Sequence, residues 1–439
     1  MQFLKSNNSK MQKRNPKMTK FANLTQNERV TLYSGLLEKY NEYKKMGLKL
    51  DLSRGKPNAE QLDVSQALLS FPVTSEDTRA CGVDCRNYGI LDGIPEMKRL
   101  FADVYNIPEQ YIFVGGNSSL QLMYDALTRA MLFGVVGSER PWSKEEGLKW
   151  ICVAPGYDRH FRITELFGFE LLTVKMTPTG PDMDEVERLV MDPKVKGIWC
   201  VPKYSNPTGN TYSDEVVRRL ASMECAAPDF RIMWDNAYAV HDITEKTDSL
   251  LNIFEVAEQY GNLNRVLYFS STSKITFPGA GVSLMAASPE NLEQMKKYIG
   301  AQTIGYDKIN QIRHVKYLKD SVTVHKHMMK LAELIGKKFE ITLSALSRLE
   351  GLGIAEWSKP NGGYFISLDV MEGCAKRVFE LMKEAGVVLT PVGATYPYGI
   401  DPYDSNLRIA PTYPTDEELR LACDVLVVAV KLAALEKLA

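Results

Sequence analysis

The chain has 439 residues, of which 24% are charged and 45% hydrophobic, and its formal net charge is −1. This composition is typical of a globular protein with two or three domains, or with one large and one small domain. The balanced charge gives no general attraction to nucleic acid or to a membrane surface, so neither partner is expected.

The N-terminal residues predict neither a secretory signal nor a folded element. The first 20 residues are polar and basic and lack an apolar core, so we predict a disordered tail over residues 1–25. Residues 26–47 are predicted to form a helix with an apolar face at Leu32, Leu36, Leu37 and Tyr40. No apolar run of about 18 residues exists, so no membrane span is predicted.

Seven apolar, β-rich runs follow, most of them separated by helical patterns or loops: 111–116, 150–155, 171–176, 197–202, 231–236, 265–271 and 281–288. Such near-continuous apolar runs are typical of strands that are buried on both faces. Strand–helix alternation predicts an α/β fold, in which helices cover both faces of a mostly parallel seven-stranded sheet. Only a short loop precedes the last run, which allows that strand to be antiparallel.

The C-terminal third reads as a smaller α+β domain. It has a long helical stretch over 307–350, short strands at 362–368 and 387–392, and a terminal helix. We expect residues 26–75 and 320–439 to form this small domain from both chain ends. Residues 76–319 then form the large domain.

The seven cysteines are scattered without a C-x-x-C pair, which is typical of reduced thiols in a cytoplasmic protein. Cys81 and Cys85 are close in sequence, but no second pair completes a zinc site, so no metal is expected.

Polar residues follow five of the predicted strands, where ligands bind in open α/β sheets. They are Asn117-Ser118-Ser119, Tyr157 with His160, Lys203–Gly209, Asp235 with Tyr238, and Ser271–Lys274. Each motif alone has an ordinary structural interpretation, such as a turn, a helix cap or a solvated lysine. Their joint order predicts one site. A lysine and an acidic residue together suit pyridoxal phosphate, which needs a Schiff-base lysine and a partner for its pyridine nitrogen.

Several stretches carry a resemblance to a known family: RGKPN (54–58), PGYDRHF (155–161), VPKYSNPTG (201–209), DNAYAVHD (235–242) and STSKITFPGAG (271–281). The chain resembles the fold-type I, aspartate aminotransferase-like enzymes that use pyridoxal phosphate, and within them the MocR-type aminotransferases. The resemblance runs from about residue 30 to the end.

The resemblance implies roles for the residues around the cofactor ring. Lys274 matches the lysine that bonds covalently to the cofactor and then moves protons, and Asp235 matches the partner of the pyridine nitrogen. His160 matches a residue that supports this aspartate. Tyr238 and Asn206 match donors to the 3-oxygen of the ring. Tyr157 matches the aromatic side chain stacked on the ring.

The resemblance also implies how the phosphate is held, with one departure. The matching residues are Asn117, Ser118 and Ser119 at a helix N-terminus and the hydroxyl groups of Ser271 and Ser273. Many relatives place an arginine about eight residues after the lysine, where this chain has Gly281-Val282. The GAG turn could offer backbone N–H groups instead, but the counter-charge is unassigned.

For the substrate, Arg408 matches the arginine that binds the α-carboxylate, with Asn206 beside it and a backbone contact from Gly55. Tyr88 matches a tyrosine that reaches the phosphate of a partner subunit, which implies a homodimer with sites at the interface. The implied substrates are amino acids and 2-oxo acids, with aspartate and 2-oxoglutarate favoured. The candidates for a second cation are Arg54, Arg86, Arg159, Arg162 and Lys203.

Two other readings stay open at this point. The same cofactor supports β-lyase, decarboxylase or broad-specificity transaminase chemistry. MocR regulators join a DNA-binding module to such a domain, but here the aminotransferase pattern begins near residue 30 and leaves no room for a reader module.

Overall fold

A computed structural model describes residues 21–439, apart from the side chains of Ala80 and Cys81. Most of the predicted tail therefore lies outside the described residues. Its last part is structured: Phe21 is buried in the core, and Thr25 caps the first helix in a capping box with Glu28.

The structure contains these α-helices: α1 (Gln26–Lys45), α2 (Ala59–Asp63), α3 (Pro95–Tyr105), α4 (Ser119–Phe133), α5 (Asp158–Leu166), α6 (Met183–Leu189), α7 (Asp214–Ser222), α8 (Ile253–Gln259), α9 (Pro289–Gln302), α10 (Lys308–Leu318), α11 (Ser321–Leu346), α12 (Ala375–Glu384) and α13 (Asp416–Leu438). The strands are β1 (Leu50–Asp51), β2 (Ile112–Val114), β3 (Lys149–Ala154), β4 (Glu170–Thr177), β5 (Gly180–Pro181), β6 (Val195–Cys200), β7 (Arg231–Asp235), β8 (Val266–Ser271), β9 (Ser283–Ala287), β10 (Ala355–Trp357), β11 (Ile366–Val370), β12 (Val387–Val388) and β13 (Asn406–Ile409).

The large sheet confirms the predicted α/β fold. Its strand order is β2-β9-β8-β7-β6-β3-β4-β5, and β3, β4, β6, β7 and β8 run parallel. The last predicted strand, β9, is antiparallel to both of its neighbours. Every residue of β6, β7 and β9 is buried, as expected of strands covered on both faces. The sheet has eight strands rather than seven, because the two-residue β5 pairs with β4 and is too short to give a sequence signal.

The sheet topology decides where a ligand can bind. After β3 the chain adds β4 on one side, then returns to place β6, β7 and β8 on the other. The strand order therefore reverses between β3 and β6, which opens a crevice beyond their carboxyl ends.

The C-terminal strands form a second, antiparallel sheet in the order β10-β11-β13, and β1 pairs in parallel with β12. This β1–β12 pair joins residues from both ends of the chain, since Leu50 lies opposite Val387. The long helices α11 and α13 pack together, and α1 packs on α13. Within residues 21–439, no helix is long and apolar enough to cross a membrane.

Three local predictions need correction. The predicted helix 307–350 is two helices, because Lys319 adopts a positive φ of 59° and Asp320 caps α11 anew. The predicted strand 387–392 pairs only over its first two residues. On α1, Leu36, Leu37 and Tyr40 face the core, but Leu32 is exposed to solvent.

Candidate active site

The residues that follow β3, β6, β7 and β8 meet in the crevice at the strand reversal. Lys274 ends a short 3₁₀ turn directly after β8, and Asp235 is the last residue of the neighbouring β7. Tyr157 and His160 come from the start of α5 after β3, and Asn206 follows β6. The structure thus brings together the ring-binding residues predicted from sequence.

The amine of Lys274 has no fixed partner. Its Nζ lies 4.8 Å from the centre of the Tyr238 ring, and it makes no hydrogen bond or salt bridge within residues 21–439. Burial lowers the pKa of Lys274 below its ordinary value, while the negative charge of Asp235 acts in the opposite direction. The backbone is held in place, because His241 Nε2 lies 3.2 Å from the Lys274 carbonyl oxygen.

The carboxylate of Asp235 is buried and only half satisfied. Its Oδ2 lies 3.0 Å from His160 Nε2, whereas its Oδ1 is buried without a hydrogen-bond partner. The His160 ring is itself fixed by stacking on Trp199, with centroids 4.4 Å apart and planes at 10°. A buried carboxylate oxygen with no donor is costly, so this position suits a cationic or N–H partner.

Two tyrosines line the space between the lysine and the aspartate. Burial raises the pKa of Tyr157 to about 12, with a smaller contribution from the charge of Asp235. Burial also raises the pKa of Tyr238 well above its usual range. A phenol is protonated at neutral pH even at its ordinary pKa, so both side chains can act as hydrogen-bond donors.

The predicted phosphate residues lie next to one another at the start of α4. The Ser273 hydroxyl donates to the Asn117 carbonyl oxygen (3.0 Å), and the Ser271 hydroxyl donates to Ser273 Oγ (3.1 Å). Ser118 is the N-cap of α4 and makes no side-chain cap hydrogen bond, so the first N–H groups of the helix lack this partner.

A cavity of about 300 Å³ adjoins this helix start. Its lining includes Asn117, the glycine-rich turn 279–282 and Arg313 on α10. The Nε of Arg313 is buried without a hydrogen-bond partner. Asp307 also lines the cavity, but its carboxylate caps α10 by accepting from the Asn310 N–H (2.9 Å).

On the opposite side of the crevice, Arg408 projects from β13. Its Nη1 donates to Asp158 Oδ1 (2.8 Å) and lies 3.4 Å from Asn206 Oδ1. The guanidinium carbon lies 5.1 Å from the centre of the Phe365 ring. Gly55 approaches that ring so closely that a Cβ atom would lie 2.2 Å from Phe365 Cζ.

Tyr88 is the predicted site residue that the chain does not bring to the crevice. It is 79% exposed, in a loop before α3. Among the candidate cations, Lys203 forms a salt bridge with Asp242 (3.1 Å), and Arg86 and Arg162 pair with nearby acids on the surface. Arg54 is exposed, with its Nε 3.9 Å from Asp51.

The sequence analysis missed three residues of this crevice. Trp199 is hidden within an apolar strand, and its contact with His160 has no sequence signal. Arg313 lines the same cavity as Gly281, but it lies on α10, outside every motif that was recognised in the sequence. Asp158 is part of the motif PGYDRHF, but its contact with Arg408, 250 residues away, has no signal in the sequence.

The side chains of the crevice fit pyridoxal phosphate. The unpaired, half-buried amine of Lys274 suits its aldehyde, and the unpaired, buried Asp235 oxygen suits its pyridine N–H. The glycine-rich cavity and the start of α4 suit its phosphate.

Comparison with known proteins points the same way. The family described as "Aspartate amino-transferase" matches residues 24–439. An aspartate aminotransferase of Corynebacterium glutamicum is 49% identical over 411 residues, which cover 93% of this chain and 95% of the relative.

Solved structures share the fold. The crystal structure of an aspartate transaminase from Corynebacterium glutamicum has a TM-score of 0.93 and 47% identity, covering 96% of this chain and 99% of that one. An alpha-aminoadipate aminotransferase from Thermus thermophilus, complexed with N-(5'-phosphopyridoxyl)-L-leucine, has a TM-score of 0.71 at 21% identity, covering 95% and 100%. The chain therefore belongs to the aspartate aminotransferase family and is an enzyme of the transferase class.

Proposed function

We propose that the protein is a pyridoxal-phosphate-dependent aminotransferase that moves the amino group of L-aspartate to 2-oxoglutarate. The observation that carries the proposal is a pair of unpartnered groups in one crevice: the half-buried amine of Lys274, which has no hydrogen-bond or ion-pair partner within residues 21–439, and the buried Oδ1 of Asp235. The name of the Corynebacterium relative supports the choice of aspartate.

The bound cofactor would supply an electron sink that stabilises negative charge at the amino-acid Cα. Lys274 would hold it covalently and, once released, carry a proton to and from Cα. Its lowered pKa favours the neutral amine that this task needs. Asp235 would keep the pyridine nitrogen protonated, and His160, held by Trp199, would fix the orientation of that carboxylate.

Tyr238 and Asn206 would donate to the ring 3-oxygen, and Tyr157 would stack on the ring. Tyr238 is suited to donate because its phenol carries a proton and its ring lies beside the Lys274 amine. Asn206 also lies 3.4 Å from Arg408, so it would link the ring to the substrate carboxylate.

The phosphate would bind where α4 begins, among Asn117, Ser118, Ser119 and the hydroxyl groups of Ser271 and Ser273. Arg313 would provide the counter-charge that the sequence leaves open at Gly281, since both line the same cavity. The buried, unpaired Nε of Arg313 would then gain a partner.

Arg408 and the backbone at Gly55 would bind the substrate α-carboxylate, and the exposed Arg54 and Arg159 are the candidates for a second carboxylate. Tyr88 would complete the site of a partner subunit in a homodimer, because its exposed ring lies outside its own crevice.

We also propose a cytoplasmic location, because the cysteines are scattered along the chain and form no pattern typical of a disulfide framework.

The test is an activity screen of cofactor-loaded protein with several amino donors against several 2-oxo acids. We expect glutamate to form from aspartate and 2-oxoglutarate faster than from alanine or leucine. Arg54→Ala should raise KM for aspartate much more than for alanine. Ammonia or decarboxylated product without an amino acceptor would instead indicate a lyase or decarboxylase.

A further inference from the structure

The carboxylate-binding arginine of the crevice already holds a carboxylate of its own chain. Arg408 Nη1 lies 2.8 Å from Asp158 Oδ1, and the two side chains are 9% and 33% exposed. A substrate carboxylate that approached Arg408 would meet this aspartate first.

The contact is weaker than the one a substrate can make. Asp158 reaches only Nη1, while Nε lies 3.4 Å from the Thr390 hydroxyl. Nη2 has no hydrogen-bond partner within residues 21–439. A carboxylate that binds the guanidinium through two parallel hydrogen bonds is favoured over a single contact, both in energy and in geometry.

Asp158 also has a second stable environment. It is the first residue of α5, where a negative charge interacts favourably with the helix N-terminus whether or not Arg408 is close. Its side chain is one-third exposed and can turn toward water. Arg408, by contrast, is buried and would be costly to leave without a counter-ion.

We propose that Asp158 is an internal competitor for the substrate carboxylate. It neutralises Arg408 in the empty crevice and is displaced when the α-carboxylate of an amino or oxo acid binds. One carboxylate replaces another, so the buried guanidinium is never unpaired. The exchange weakens binding of substrate and product alike, and it speeds product release because Asp158 returns as the product leaves. This inference rests on the assignment of Arg408 in the proposed function.

The test measures carboxylate binding rather than turnover. Propionate and succinate are titrated by calorimetry into cofactor-loaded wild-type protein and into Asp158→Asn, which keeps the shape but removes the charge. We expect both ligands to bind roughly three- to tenfold more tightly to the variant, which corresponds to the free energy that a part-exposed ion pair contributes. In steady-state kinetics, KM should fall for amino and oxo substrates while kcat stays the same or falls.

Two controls separate the possible causes. Asp424→Asn removes the carboxylate from a more exposed ion pair of similar length, between Asp424 on α13 and Arg348 (2.7 Å), and should leave carboxylate binding unchanged. In an Arg408→Lys background, the effect of Asp158→Asn should shrink, because the two residues act as one pair. If Asp158→Asn does not fold, Asp158→Ser, which suits the start of a helix, takes its place.

Unchanged or weaker carboxylate binding in a folded Asp158 variant would overturn the inference. If Arg408→Lys alone leaves propionate binding intact, the assignment of Arg408 is wrong, and the proposed substrate site fails together with the inference. If binding tightens but no transamination occurs with any donor, the competitor role stands and the proposed reaction fails.

Discussion

Gly55→Ala tests whether packing beneath Arg408 sets the position of its guanidinium. A Cβ at residue 55 would lie 2.2, 2.7 and 3.0 Å from three ring atoms of Phe365. Carbon atoms prefer to be about 3.5–4.0 Å apart, so the ring must move by more than about 1 Å. The ring is buried, and such overpacking costs about 1–3 kcal/mol of folding free energy.

The functional effect follows from the contact between this ring and Arg408, whose guanidinium carbon lies 5.1 Å from the ring centre. A displacement of about 1 Å in a positioning group can cost about 100-fold in rate. We therefore expect kcat/KM for aspartate to fall by about 10- to 100-fold and Tm to fall by several degrees, measured by steady-state kinetics and by thermal unfolding.

Gly35→Ala is the matched control. Gly35 lies within α1, and a Cβ there would meet no atom within 4 Å. Alanine should stabilise that helix by about 0.5–1 kcal/mol and leave kcat/KM unchanged. If Gly55→Ala has the wild-type Tm and kcat/KM, the ring does not hold Arg408 in place and the reasoning is refuted.

Three further predictions concern the cofactor. Lys274→Met should stabilise the cofactor-free protein at pH 7. Burial lowers the Lys274 pKa from 10.5, so the folded chain binds fewer protons than the unfolded chain below pH 10.5. The free energy of unfolding of the wild type therefore rises as the pH approaches 10.5, and the advantage of the variant decreases. If the difference in Tm between Lys274→Met and the wild type does not decrease from pH 7 to pH 10.5, this reasoning is wrong. Asp235→Asn should lower kcat by about 100-fold or more, because the buried charge pair between Asp235 and the pyridine nitrogen would be lost. A change of less than about threefold in the single-turnover rate would argue against this role. Arg313→Ala should weaken binding of pyridoxal phosphate at least about tenfold but not that of pyridoxal, which lacks the phosphate. If fluorescence titrations show that Arg313→Ala weakens the binding of pyridoxal phosphate and of pyridoxal equally, Arg313 does not bind the phosphate.

The sequence predicted the large sheet well because buried parallel strands are long apolar runs. The seven predicted runs correspond to β2, β3, β4, β6, β7, β8 and β9. Among the strands, the failures are short elements: β5 and β12 are two residues each, and pairing with a neighbour rather than local preference decides them. The superfamily is confirmed, while the MocR-type assignment and the domain boundaries stay predictions.

The order of motifs along the chain was enough to place a lysine, an aspartate and their aromatic neighbours at the carboxyl edge of one sheet, because the ends of parallel strands meet there. Tertiary structure alone decided which distant groups share the crevice. Arg408 and Asp158 are 250 residues apart, and Arg313 lines the cavity beside the start of α4 although it comes from α10, far along the chain. Local patterns report which face of an element is buried, but contacts between remote side chains depend on how the elements pack, and no period in the sequence records that.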